Sequence, residues 1–196
     1  MGTQVLAGKG YTIPMYGTPT GKFVEPAVVC SHFHLRPGDM VADFGAGSGH
    51  YMRPLSNLVG AHGRVYLCEI QKNLVEALGN QAREQRLRNV HPLWCDFETV
   101  GGTKLMEGVL DAALLSNTLF QVVDKVSTLG EIARVTRMGG KLIIIDWSDS
   151  FGGLGPRSDH IVPLDEARRL VEQVGFVFDR SFPAGEHHYG FTAHKG

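Results

Sequence analysis

Short apolar runs alternate with longer amphipathic stretches along most of this chain. Met40–Phe44 is a brief apolar run between turn residues, which predicts a buried strand. Similar runs follow at residues 63–69 (GRVYLCE), Val90–Trp94, 109–115 (VLDAALL) and 141–147 (KLIIIDW). The intervals between them favour helices. One is expected over about residues 49–60, with a kink at Pro54. A second spans residues 71–87, where Leu74, Val75, Leu78, Ala82 and Leu87 form a stripe near the helical period. A third spans about residues 123–137 and turns Val126, Leu129, Ile132 and Ala133 inward. Arg134 and Arg137 suit its negative end, and Gly139 is its expected C-cap. A fourth, at about 164–174, lies between Pro163 and Gly175.

The tail, FVFDRSF and HHYGFTAH, reads as two more strands. Strands alternating with helices imply a largely parallel sheet covered on both faces, and the closing pair adds an antiparallel edge. Residues 1–24, rich in Gly, Thr, Pro and Tyr, are expected to form an irregular arm. Residues 26–34 read as a short helix with Pro26 at its first position, ended by the turn Arg36-Pro37-Gly38-Asp39. The organisation is therefore an arm and short helix over residues 1–35, then one compact domain over 36–196.

Composition narrows the class of partner. The hydrophobic fraction is 43%, the charged fraction 20% and the net charge -1, so no basic bias invites nucleic acid or an anionic membrane. Cys30, Cys68 and Cys95 are far apart and odd in number, which reads as free thiols in a reducing compartment. The N-terminal stretch lacks the basic-then-apolar pattern of a signal peptide, and the expected location is the cytoplasm.

The sharpest local feature is Val41-Ala42-Asp43-Phe44-Gly45-Ala46-Gly47-Ser48-Gly49-His50. A strand runs into three alternating glycines, and a helix follows. Glycines permit a tight turn and a close ligand, and the helix start offers free N–H groups. A dinucleotide fingerprint wants G-x-G-x-x-G, but His50 stands where its third glycine belongs, so the spacing disfavours a nicotinamide dehydrogenase.

Asp43 followed by Gly45, Gly47 and Gly49 resembles the first motif of the class I, Rossmann-like S-adenosylmethionine-dependent methyltransferases. Residues 137–140 (RMGG) resemble a turn of the same family, and residues 144–156 and 184–191 look like its broad ubiquinone-biosynthesis-like small-molecule group. The resemblance covers about residues 36–147. It implies a seven-stranded, mostly parallel sheet with helices on both faces and an antiparallel C-terminal strand. It implies S-adenosylmethionine as cofactor, held by Asp43, Gly45, Ala46, Gly47 and Gly49, by Glu69 and Ile70 at the second strand's end, by Asp96 and Phe97 after the third, and by Ser116 and Asn117 after the fourth. The Glu69 carboxylate is expected on the ribose hydroxyls and Asp96 near the adenine amino group.

Methyl acceptors then belong beyond the carboxyl ends of the strands, around Asn117, Thr118, Phe120, Asp146, Trp147 and the 148–160 loop, with Tyr11, Met15 and Tyr16 of the arm as a lid. Methyl transfer is in-line displacement that needs positioning and, for a protonated nucleophile, a base. His188, His160 and Asp146 are the candidates. Adjacent histidines on a strand face opposite ways, so His187 and His188 do not make a metal site, and none is expected. The acceptor is expected to be a small molecule. The competing readings are an RNA or protein methyltransferase and a non-catalytic binder of S-adenosylmethionine or S-adenosylhomocysteine.

Overall fold

The computed structural model describes residues 24–196 in full and, before them, the backbone of Thr3–Val5 and Thr12–Pro14. Those two segments pair as an antiparallel ribbon with Thr3 opposite Pro14, where an irregular arm was expected. Tyr11, Met15 and Tyr16 lie outside the described residues.

Seven strands build one sheet: β1 (Met40–Phe44), β2 (Arg64–Glu69), β3 (Val90–Trp94), β4 (Leu110–Ser116), β5 (Thr136–Trp147), β6 (Phe176–Pro183) and β7 (His188–Lys195). Their spatial order is β3-β2-β1-β4-β5-β7-β6. The first five are mutually parallel. β7 runs antiparallel between β5 and β6. The antiparallel strand is thus interior rather than at the edge, and its near-complete burial follows from having a partner on each side.

Among the described residues, five helices flank the sheet: α1 (Pro26–Val29), α2 (Met52–Val59), α3 (Lys72–Glu84), α4 (Lys125–Val135) and α5 (Leu164–Gln173). Successive strand residues point to opposite faces. On one face Val41, Leu67, Leu114, Ile143 and Ile145 pack under α1, α2 and α3 with Phe33 and Phe182. On the other, Ala42, Phe44, Leu142, Ile144 and Phe191 pack under α4 and α5. Among the described residues, no helix is long and apolar enough to cross a membrane.

Three expectations are corrected. The helix expected over 49–60 begins only at Met52, because the glycine turn extends to Tyr51. Pro54 then falls in the first turn, where its missing N–H has no intrahelical partner to lose, so it starts the helix rather than kinking it. The helix expected over 26–34 closes at Val29 and continues as a tighter turn over Cys30–His32. The third helix stops at Val135, not at 137. Thr136 is already extended, with its hydroxyl donating back to the Ile132 carbonyl at 2.7 Å, and β5 starts there. Arg137 therefore pairs with Asp111 on β4, and Gly139 sits inside the strand at φ +68 rather than capping a helix.

Candidate active site at the carboxyl edge of the sheet

β1 enters the glycine turn with a sharp change of direction. The N–H groups of Gly45 and Ala46 both donate to the Cys68 carbonyl of β2, at 2.9 and 3.1 Å. The three glycines are needed for different reasons. A Cβ on Gly45 (φ +80) would stand 2.6 Å from the Thr118 hydroxyl, and one on Gly49 (φ +81) would stand 2.7 Å from a Leu78 methyl. Those two serve packing. A Cβ on Gly47 (φ +54) would meet only the Gly45 carbonyl at 3.8 Å, so Gly47 turns its backbone toward open space.

Beside that space stand two carboxylates from the same sheet face. By strand alternation, Asp43, Glu69 and Ser116 all point to the side of Val41, Leu67 and Leu114. Glu69 accepts the Gly47 N–H at 3.1 Å and the Gln71 N–H at 2.9 Å. Asp43 is 2% exposed, and one of its oxygens has no hydrogen-bond partner. Burial first, and the Glu69 charge second, push its carboxyl up to about 7. A buried acceptor without a donor is costly. Here it sits at the end of a strand next to an open glycine backbone.

This arrangement fits S-adenosylmethionine. Its cationic groups and hydroxyl donors would find two carboxylates with lone pairs to spare, and its flexible chain a backbone with no Cβ in the way. Ile70 follows Glu69 and exposes 56% of its surface, an apolar side chain beside the turn. The Trp94 indole N–H donates to the Ile70 carbonyl at 2.9 Å, and the Lys72 ammonium lies 4.2 Å from the indole centre.

The sequence-derived residues divide on this geometry. Asp43, Gly45, Ala46, Gly47, Gly49, Glu69 and Ile70 gather around the turn. Asp96 is exposed and spends its oxygens on its own loop, accepting the Glu98 N–H at 3.0 Å and the Thr99 hydroxyl at 3.2 Å. Phe97 is buried edge-on to Phe44 on the α4–α5 face. Ser116 bonds the Tyr51 hydroxyl at 3.2 Å. Asn117 takes a left-handed backbone (φ 52), gives its N–H to Ile145 and leaves its amide oxygen buried without a partner.

The candidate bases separate as well. Asp146 faces the α4–α5 side with Leu142 and Ile144, turned from the glycine loop. Its oxygens accept the Phe120 N–H at 3.1 Å and the Trp147 N–H at 2.8 Å. His160 lies on the turn Ser158–His160 ahead of α5 and is half-buried. His188 is buried against Trp147, ring centres 4.2 Å apart, on the same face as Asp43 and Glu69. His187 lies just ahead of β7 and outside this pair, bonded to Asp149 at 2.9 Å and stacked on Phe151.

Sequence reasoning missed Tyr51 and Trp94. Tyr51 gains its role only through Ser116, 65 residues away, and spacing carries no signal of that, whereas Thr118, expected around the acceptor, turns its hydroxyl back to the Phe44 and Ser116 carbonyls at 3.3 and 2.9 Å. The exposed tryptophan closing β3 was the one legible hint.

Comparison with known proteins agrees with the geometry. A family model described as a methyltransferase domain matches residues 35–172. The ubiquinone/menaquinone biosynthesis C-methyltransferase UbiE of Vibrio campbellii is 29% identical over 114 residues, which cover 58% of this chain and 43% of that protein. The chain thus spans less than half of that relative's length. A solved structure of a SAM dependent methyltransferase from Aquifex aeolicus superposes with a TM-score of 0.79 at 25% identity, covering 89% of this chain and 91% of that one. Geranyl diphosphate C-methyltransferase from Streptomyces coelicolor, solved with S-adenosyl-L-homocysteine, has the same fold with a TM-score of 0.72 at 15% identity, covering 87% of this chain and 79% of that one. With a family match across most of its sheet, the chain belongs to the Rossmann-like, class I S-adenosylmethionine-dependent methyltransferases.

Proposed function

We propose that this protein transfers a methyl group from S-adenosylmethionine to a small-molecule acceptor by in-line displacement. The observation that carries the reading is the pair Asp43 and Glu69 beside Gly47, whose backbone faces open space. When bound, the cofactor supplies a methyl carbon on a sulfonium, an electrophile that needs only an aligned nucleophile.

The chain's own residues supply the alignment. Gly45, Ala46, Gly47 and Gly49 shape the turn that receives the cofactor chain. Glu69 accepts the ribose hydroxyls with its free lone pairs while holding the turn through Gly47. Asp43 gives its unpartnered oxygen to the cofactor's cationic end. Ile70, held by Trp94, carries the adenine, with Phe97 buried behind and Asp96 shaping the adjoining loop. Ser116 and Asn117 close the side toward the acceptor. The acceptor lies over β4, β5 and β7, where strand ends bring Ser116, Trp147 and His188 to the same face.

Small-molecule rather than macromolecular substrates fit a chain of net charge -1, and the two named C-methyltransferases among its relatives act within that class by name. Titration calorimetry of the purified protein with S-adenosylmethionine, S-adenosylhomocysteine and NAD tests the reading. Saturable binding of both adenosyl ligands without NAD binding supports it, and a panel of acceptors followed by S-adenosylhomocysteine release then separates an enzyme from a silent binder. A folded sample that binds neither adenosyl ligand ends it.

A further inference from the structure

We infer that Trp147 and His188 form the floor of the acceptor site, and that they select an uncharged, planar acceptor that carries a hydroxyl. The inference rests on the methyl-transfer reading above and adds the chemistry of its second substrate.

His188 is the least explained polar group on the cofactor face. It is 7% exposed, and neither ring nitrogen has a hydrogen-bond partner. None of its neighbours on that face bonds it. Trp147 stands opposite it in register, and Phe182 and Ala184 from the adjoining strand end pack into the same core. A buried histidine that bonds nothing weakens a fold. Its place explains it. β7 runs antiparallel to β5, so the start of β7 reaches the carboxyl edge where cofactor and acceptor meet in an open α/β sheet. Ser116 lies opposite Ile145, two residues before Trp147 on the same face, or about 7 Å along β5.

The chemistry of the pair narrows the ligand. Burial, reinforced by His187, lowers the His188 imidazole to about 4, so the ring is neutral near pH 7. A neutral imidazole donates from one nitrogen and accepts at the other. That matches a hydroxyl, which does both, and gives a carboxylate or an ammonium only half of what it needs. The Trp147 ring beside it suits a flat apolar body. The 148–155 segment lies against Trp147: a Cβ on Gly155 would stand 2.9 Å from its ring. Ser148 N–H donates to the His187 carbonyl at 2.9 Å, and the His187–Asp149 hydrogen bond holds the same segment from outside. The outer histidine is thus spent on structure, and the inner one is left for a ligand.

The test uses the whole chain, labelled with nitrogen-15 in its histidine rings and saturated with S-adenosylhomocysteine. Phenol, benzoate and phenyltrimethylammonium are the probes: one flat ring with a neutral hydroxyl, an anion or a cation. Phenol is expected to move the His188 ring resonances saturably and to bind at least about tenfold more tightly than either charged probe. His188→Phe is expected to lose phenol binding by a similar factor while keeping its S-adenosylhomocysteine affinity and a thermal midpoint no lower than wild type. His188→Gln, which also donates and accepts, keeps most of the phenol binding. Phenol that leaves His188 unmoved, equal binding of a charged probe, undiminished binding by His188→Phe, or a lowered midpoint in that variant would each overturn the assignment. Failure of S-adenosylhomocysteine itself to bind strikes the methyl-transfer reading instead, and the phenol titration of the free protein still reads the His188 site.

Discussion

Asp43 and Asp146 make an instructive pair. Each closes a parallel strand at the same edge of the sheet, each is buried, and burial raises each carboxyl to about 7. They differ in face and in company. Asp146 points toward α4 and α5 and accepts backbone N–H groups from Phe120 and Trp147, so it fixes the loop between β4 and α4 to the end of β5. Asp43 points toward the glycine turn and keeps an oxygen without a partner. A displaced titration alone would have named both as functional. The census of hydrogen-bond partners tells them apart: one carboxylate is spent holding the scaffold, and the other is held in reserve.

The contrast can be broken experimentally. Glu69 carries both kinds of duty, so Glu69→Ala is expected to have the largest effect, weakening S-adenosylhomocysteine binding by on the order of 2–4 kcal/mol in calorimetry. An unchanged dissociation constant would reduce Glu69 to an anchor for Gly47. Asp146→Ala leaves two buried N–H groups without acceptors and should cost about 2–3 kcal/mol in urea unfolding, with cofactor affinity kept. Asp43→Asn should do the reverse, holding stability within about 1 kcal/mol while binding falls. If the two aspartates exchange these behaviours, the assignment of scaffold and site is inverted.

The glycines repeat the contrast on a smaller scale. Gly49→Ala drives a methyl group into Leu78 and Met52 at a positive φ, and should destabilise the fold by about 2 kcal/mol. Gly47→Ala meets open space and costs only the left-handed strain, about 1 kcal/mol, yet it should impair cofactor binding more than Gly49→Ala does. Equal loss of binding in both would mean that the turn acts as a unit.

The smallest effect is in pH. A carboxyl raised to about 7 in the fold contributes stability that is full below its unfolded value and lost as pH rises through 7. His188, lowered to about 4, works the other way: its contribution is present above the unfolded value near 6.5 and lost as pH falls toward 4. Between pH 5 and 7 these slopes oppose each other. Removing the imidazole in His188→Phe should expose the carboxyl slope, so that the variant loses about 1 kcal/mol more stability than wild type as pH rises from about 5.5 to 7. Parallel pH profiles of thermal midpoint for the two proteins would show that His188 does not resist protonation in the fold.

The sequence by itself determined the order of the sheet's elements, the glycine turn and the acid at the end of β2. These are local: apolar runs of strand length, amphipathic runs of helix length, and glycines where a backbone must bend. It misplaced Gly139, because whether Thr136 ends a helix or begins a strand depends on Leu110 and Asp111 of a neighbouring strand. Likewise Asp96, Asp146 and His188 look alike on paper, as polar residues near strand ends. Only the tertiary structure decided that Asp96 spends itself on its own turn, that Asp146 serves the loop after β4, and that β7 slots between β5 and β6 and so carries His188 to the face of Asp43 and Glu69. Strand pairing across the fold and the alternation of side chains fix which face a residue meets, and neither is encoded in any short window of the chain.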